Sequence, residues 1–142
     1  MNAKAYLEQA RYLDMRIKSK CRQIETLNEL ADSCTAVLTN MPKSPGPSPS
    51  RVETSVLKIL TLQEEIRVDI DRLVELKREI MCIIKEVSDT ELQTLLEKRY
   101  LCYLSWEQIA VEMSFSIQHI YRMHDAALNA IDRILERKTP SL

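Results

Sequence analysis

The chain has 142 residues, 29% of them charged, with a formal net charge of −1, one glycine and one phenylalanine. That length suits one ordinary domain, or a small domain with an extended element, and the shortage of turn glycines and strand-forming aromatics argues against a sheet protein and for helices. Charge is spread evenly, +2 over residues 1–50, −1 over 51–87 and −2 over 88–142, which fits neither a basic nucleic-acid coat nor an acidic disordered tail.

The chain starts MNAKAYLEQARYLDMR, charged throughout and without the apolar core of a signal peptide. No apolar run approaches the ~20 residues of a membrane span. Cys21, Cys34, Cys82 and Cys102 form no CxxC pair and read as reduced thiols on helix faces. The expectation is a soluble, cytoplasmic protein with no membrane partner.

Between residues 3 and 41 apolar side chains recur in alternating steps of three and four: Ala3, Tyr6, Ala10, Leu13, Ile17, then Lys20 or Cys21, Ile24, Leu27, Ala31, Cys34, Leu38 and Met41. This is a heptad seam on one long amphipathic helix, widened near its end by Leu30 and Val37. PKSPGPSPS follows, with four prolines and the only glycine, and cannot continue a helix. A second seam then runs through Ile59, Leu62, Ile66, Asp69 or Ile70, Leu73, Leu76, Ile80, Ile83 and Val87. Two helices of matched length joined by a short loop predict an antiparallel coiled-coil hairpin over 1–87, with its proline-rich loop at 42–50. Lys20, at a seam position, would limit or orient the pairing.

Helix starts share a chemical mark, Ser followed three residues later by Glu or Gln, so that each side chain satisfies a free backbone N–H of the other. Ser50 with Glu53, Ser88 with Glu91 and Ser105 with Gln108 all fit, each where the apolar rhythm breaks. After Val87 the heptad stops. Residues 89–101 predict a short helix and 106–113 another, with Ile109, Ala110 and Met113 facing inward. SFS at 114–116 makes a break, and a last helix runs from 117 to about 136 on an apolar face of Ile120, Met123, Ala127, Leu128, Ile131, Ile134 and Leu135. A short helix, a tight turn and a longer helix form a helix-turn-helix, so the fold expected is all-α, a helical hairpin followed by a three-helix helix-turn-helix domain over 88–142.

LSWEQIAVEMSFSIQHIYRMHDAALNAI, residues 104–131, resembles the region-four helix-turn-helix of bacterial sigma-70 factors. The shared features are Ser105, Glu107, Ile109–Ala110, Met113, Ser116, Ile120, Met123 and Ala126–Ala127–Leu128. With the upstream RYL of 99–101, the chain is similar to the sigma-like phage and prophage transcriptional regulators of the ArpU/RinA type. The resemblance implies double-stranded DNA as partner, a place in the bacterial host cell, and contact with RNA polymerase. Three features depart from the pattern, the first being that LCYL, just before Ser105, lacks the Gly, Asn or Asp usual in such a turn. Ser114 stands where such turns carry glycine and must take that backbone conformation at a cost, and the last helix has few arginines.

With Ile120 inward and ~100° per residue, the outer face of the last helix holds Gln118, Arg122, Asp125 and Asn129, flanked by His119 and Tyr121. The N-terminal part of a recognition helix reads bases. Gln118 and Arg122 are therefore the residues expected on base edges, as glutamine pairs with adenine and arginine with guanine. Ser105, Ser116 and Tyr121 are candidates for phosphate, His119 is a further candidate for DNA contact, and Lys98 and Arg99 would add local positive charge. His119 and His124 with Cys102 do not make a metal motif, because a five-residue spacing sets the histidines apart around the helix. There is no phosphate-cradling glycine loop, nucleophile elbow or HExxH, so neither catalysis nor a cofactor is expected. The function expected is sequence-specific DNA binding in transcriptional control, as a homodimer through the coiled coil. The alternative is a partner-binding adaptor that contacts RNA polymerase and has no DNA specificity of its own, a reading that the net charge of −2 over 88–142 favours.

Overall fold

A computed structural model describes residues 2–40 and 50–139, with side chains described over 2–32 and 52–139. Outside them lie the proline-rich stretch 42–49, the Ser50 hydroxyl on which the first capping box depends, and the seam side chains Cys34, Val37, Leu38 and Met41. The described residues are all-α: α1 (Ala3–Asn40), α2 (Ser50–Lys85), α3 (Thr90–Leu96), a π-helical turn (Glu97–Leu101), α4 (Trp106–Met113) and α5 (Ile117–Lys138). None of these helices is long and apolar enough to cross a membrane.

The chain divides into two compact units, Asp14–Arg72 and Met1–Leu13 with Leu73–Leu142. In the first, α1 and α2 run antiparallel and are joined by an ion pair. Lys20 Nζ lies 2.6 Å from Asp69 Oδ2 and 3.7 Å from Glu65 Oε2. The sequence left each seam position open, Lys20 or Cys21, Asp69 or Ile70; the fold turns the two charges together and leaves Cys21 and Ile70 exposed. Both side chains keep little exposure, 15% for Lys20 and 18% for Asp69. A charged pair at a seam position costs desolvation but penalises other registers, where either charge would face an apolar residue. Ile17 and Leu62 are buried within the single chain, and Ile24, Leu27, Ile59 and Ile66 are half-buried. Leu30, expected to widen the seam, is exposed.

The other unit has two apolar clusters. Ala3, Leu7 and Ala10 of α1, Ile80, Ile83 and Ile84 from the end of α2 and Val87 just beyond it share one with Leu96, Tyr100, Ala127, Ile131 and Ile134. Leu7 and Ile84 lie off the heptad seam, yet both are fully buried. A helix packed against two neighbours buries a wider stripe than a/d spacing provides. The second cluster joins Leu95, Ile109, Ile120 and Met123.

Two local expectations are corrected. The cap of α3 is Asp89, not Ser88: the Asp89 carboxylate accepts from the Glu91 amide at 2.9 Å and the Leu92 amide at 3.3 Å. A carboxylate at a helix start both satisfies orphan amides and faces the positive end of the dipole. The short helix expected to run through 101 remains α-helical only to Leu96 and then widens, the Cys102 amide reaching back to the Glu97 carbonyl. The break before Ser105, which lacks glycine, is made by Tyr103 at φ 60°. Its ring lies under the Lys77 ammonium, 4.8 Å from the centroid. At the end of α2, the Gln93 side-chain amide donates to the carbonyls of Lys85 and Val87, filling acceptors that a helix end leaves open.

Candidate nucleic-acid interface

α4 opens on a complete capping box. The Ser105 Oγ accepts from the Gln108 amide at 3.2 Å, and the Gln108 Oε1 accepts from the Ser105 amide at 2.9 Å. The helix closes at Ser114, which takes the left-handed conformation expected of the turn position, φ 60° and ψ 40°. Next, the Phe115 amide donates to the Ala110 carbonyl at 3.1 Å. Ser116 then caps α5, its Oγ accepting from the His119 amide at 3.2 Å. The hydroxyls of Ser105 and Ser116 accept in these caps, so each keeps its own proton to donate.

α4 and α5 are clamped by Ile109 against Ile120, both fully buried, with Met123 and half-buried Trp106, Ala110, Met113 and Phe115 around them. This turns Gln118, Tyr121, Arg122, Asp125 and Asn129 outward, all exposed, as the helical arithmetic required. His119 is half-buried, its ring 4.6 Å from that of Phe115. Of the six residues expected to meet DNA, Gln118, Tyr121 and Arg122 thus lie exposed on one side of α5, with the Tyr121 ring resting edge-on against Trp106. Ser105 and Ser116 mark the two helix starts, and His119 is partly taken up by packing.

Behind this face is an aromatic group that the sequence did not reveal. Trp106 meets His124 edge-on with ring centroids 4.5 Å apart, and Tyr121 at 5.6 Å. The Arg99 guanidinium lies 4.3 Å from the Trp106 ring centre, and its Nη1 donates to the Leu104 carbonyl at 3.0 Å. The His124 Nε2 and the Tyr100 hydroxyl are hydrogen-bonded at 2.6 Å, both residues buried. Burial is the largest cause that pushes the His124 pKa down to about 4, with the charges of Arg99 and Lys4 adding to it and Asp125 opposing. Burial likewise raises Tyr100 to about 12, helped by Glu8. Near neutral pH this pair is uncharged, and the His124 Nε2 is taken up by the tyrosine hydroxyl.

The cations expected to help are used internally. Lys98 pairs with Glu112 at 2.8 Å, and Arg99 is held by Trp106 and the Leu104 carbonyl. Arg122 is exposed and has no partner among the described residues. The N-terminus of α1 also reaches α5. The Ala3 amide donates to Asp132 Oδ1 at 2.8 Å, and a shallow groove is lined by Asn2, Lys4, Asp125, Asn129 and Asp132 among others.

Comparison with curated proteins and with solved structures gives no match. The family described as "Protein of unknown function (DUF1492)" matches residues 46–132, which takes in α2 to the greater part of α5. Since the match covers more than half of the sequence, the chain belongs to the DUF1492 family.

Proposed function

We propose that this protein is a sequence-specific DNA-binding transcriptional regulator of a phage or prophage, built on a sigma-region-four-like helix-turn-helix and acting without catalysis. The observation that carries the reading is the pair Gln118 and Arg122. They lie one turn apart and exposed in the N-terminal half of α5, behind a three-residue turn from α4. On this reading α5 enters the major groove, and these side chains pair with an adenine and a guanine. The Ser116 and Tyr121 hydroxyls take phosphates, and Ser105, at the start of α4, takes one further along the backbone. A homodimer would present two such helices to paired half-sites. With Ile17 and Leu62 buried inside one chain, the apolar surface left for pairing on the hairpin includes Val56, Leu57 and Leu60, all exposed.

The test is selection of duplexes from a random pool, followed by a salt series with the wild type and with Gln118→Ala plus Arg122→Ala. The expected result is binding that weakens steeply with salt, and a double variant that loses sequence preference. Folded protein that selects no sequence would refute the reading.

A second reading is the partner-binding adaptor on RNA polymerase. It is favoured by the internal use of Lys98 and Arg99, which leaves few cations for phosphate, and by Val111, 79% exposed on α4. Capture of purified RNA polymerase by protein that ignores DNA, lost with Val111→Glu, would decide for it.

A further inference from the structure

We propose that the first turn of α1 is part of the DNA-contacting surface and that the Lys4 ammonium takes a backbone phosphate beside the outer face of α5. This rests on the DNA-binding reading above. The placement comes from packing. Ala3 is tied to Asp132 by its amide, so the helix start is fixed against the middle of α5, and Lys4 faces Asp125 and Asn129 across the shallow groove.

The chemistry there is that of a side chain, not of a helix end. The Ala3 amide is taken by Asp132, the Ala5 amide by Asn2 Oδ1 at 2.8 Å, and the Tyr6 amide by the Asn2 carbonyl. The cation that this turn offers is the Lys4 ammonium, exposed and without an ion pair among the described residues. A cation in the first turn opposes the helix dipole, so helix stability does not account for a lysine here. Asp125, on the reading face itself, repels phosphate. Lys4 lines the same groove as Asp125, and its field reaches α5, where it adds to the lowering of the His124 pKa. With Lys98 and Arg99 engaged elsewhere, Lys4 and Arg122 are cations bordering this face that remain available to displace counterions from DNA.

The experiment uses the full chain as wild type, Lys4→Ala and Lys4→Arg, titrated against the selected duplex and a scrambled duplex over a salt series. Lys4→Ala is expected to weaken both duplexes by the same factor, roughly threefold to tenfold at low salt, and to lower the salt slope by about 0.9. Lys4→Arg should restore the slope. Melting of Lys4→Ala should be unchanged or slightly higher, since the charge it removes opposes the dipole. An unchanged slope, or tighter binding by Lys4→Ala, overturns the role of Lys4 while leaving the DNA reading intact. Folded wild type that binds neither duplex overturns both.

Discussion

Acid should destabilise this fold earlier than its carboxylates alone require, because of His124. The ring is 8% exposed, bonded to the Tyr100 hydroxyl and edge-on to Trp106. Its pKa is pushed down to about 4 from a free value of 6.5. A base with a depressed folded pKa binds its proton in the unfolded chain first. Its contribution to stability is therefore fully present above pH 6.5 and is lost as pH falls toward 4. At 1.36 kcal/mol per unit the loss is about 2 kcal/mol by pH 5 and about 3 kcal/mol by pH 4. The hydrogen bond itself can survive protonation, since the imidazolium would donate to the tyrosine oxygen; what is lost is the solvation of the charge. The assay is urea unfolding at a series of pH values for the wild type and for His124→Phe, which keeps an aromatic ring but cannot titrate. The variant should be weaker at neutral pH, because Tyr100 loses its partner. The gap should narrow as pH falls from 6.5 to 5, while the carboxylates common to both chains cancel. A gap independent of pH across that window, or a His124 ring that titrates near 6.5 by NMR, would refute the reasoning.

The Lys20–Asp69 pair should show strong coupling. Removing one partner of a fully buried pair costs about 3–5 kcal/mol. The residual exposure of 15% and 18%, and Glu65 at 3.7 Å, reduce this to roughly 1–2 kcal/mol for Asp69→Leu alone. Lys20→Leu with Asp69→Leu should return to wild-type stability or exceed it in a denaturation double-mutant cycle; additive losses would mean that the two charges do not interact. Ser114→Gly should stabilise the protein by about 0.5–1 kcal/mol, since a left-handed residue at φ 60° carries a Cβ penalty that glycine lacks. A lower melting temperature for Ser114→Gly would show that the serine makes a compensating contact.

Helix types and most boundaries were legible because the apolar period is long and each break has its own chemistry. α4 spans the residues expected, and Ser105, Ser114 and Ser116 do what their positions required. Where two caps competed, serine lost to the neighbouring aspartate, whose carboxylate serves two amides. The π-helical turn has no periodic signature in EKRYL and only emerges once Tyr100 must reach His124. On the candidate interface, exposure was legible and availability was not. Rotation around a helix places Gln118 and Arg122 outside, but no local rule foretells that Lys98 will find Glu112, fourteen residues on. Leu7 and Ile84 were missed because the seam assumes one partner helix.

That second partner is what connects fold to function. The inner face of α5 is divided along its length. Ile120 and Met123, in its N-terminal half, pack with Leu95 of α3 and Ile109 of α4, while Ala127, Ile131 and Ile134 pack with Ala3, Leu7, Ala10, Ile80, Ile83 and Ile84 from the ends of the two long helices. His124 lies at the join, bonded to Tyr100 of the π-helical turn and in contact with Trp106 of α4. The proposed reading helix is thus held in front by the helix-turn-helix and behind by residues from either end of the chain's first 87 positions. An isolated 88–142 segment would expose Ala127, Ile131 and Ile134 along one side of α5, so the unit that presents Gln118 and Arg122 includes the start of α1 and the end of α2. The same packing brings Lys4 to the groove that Asp125 also lines, so the N-terminal turn, far away in sequence, borders the outer face of α5.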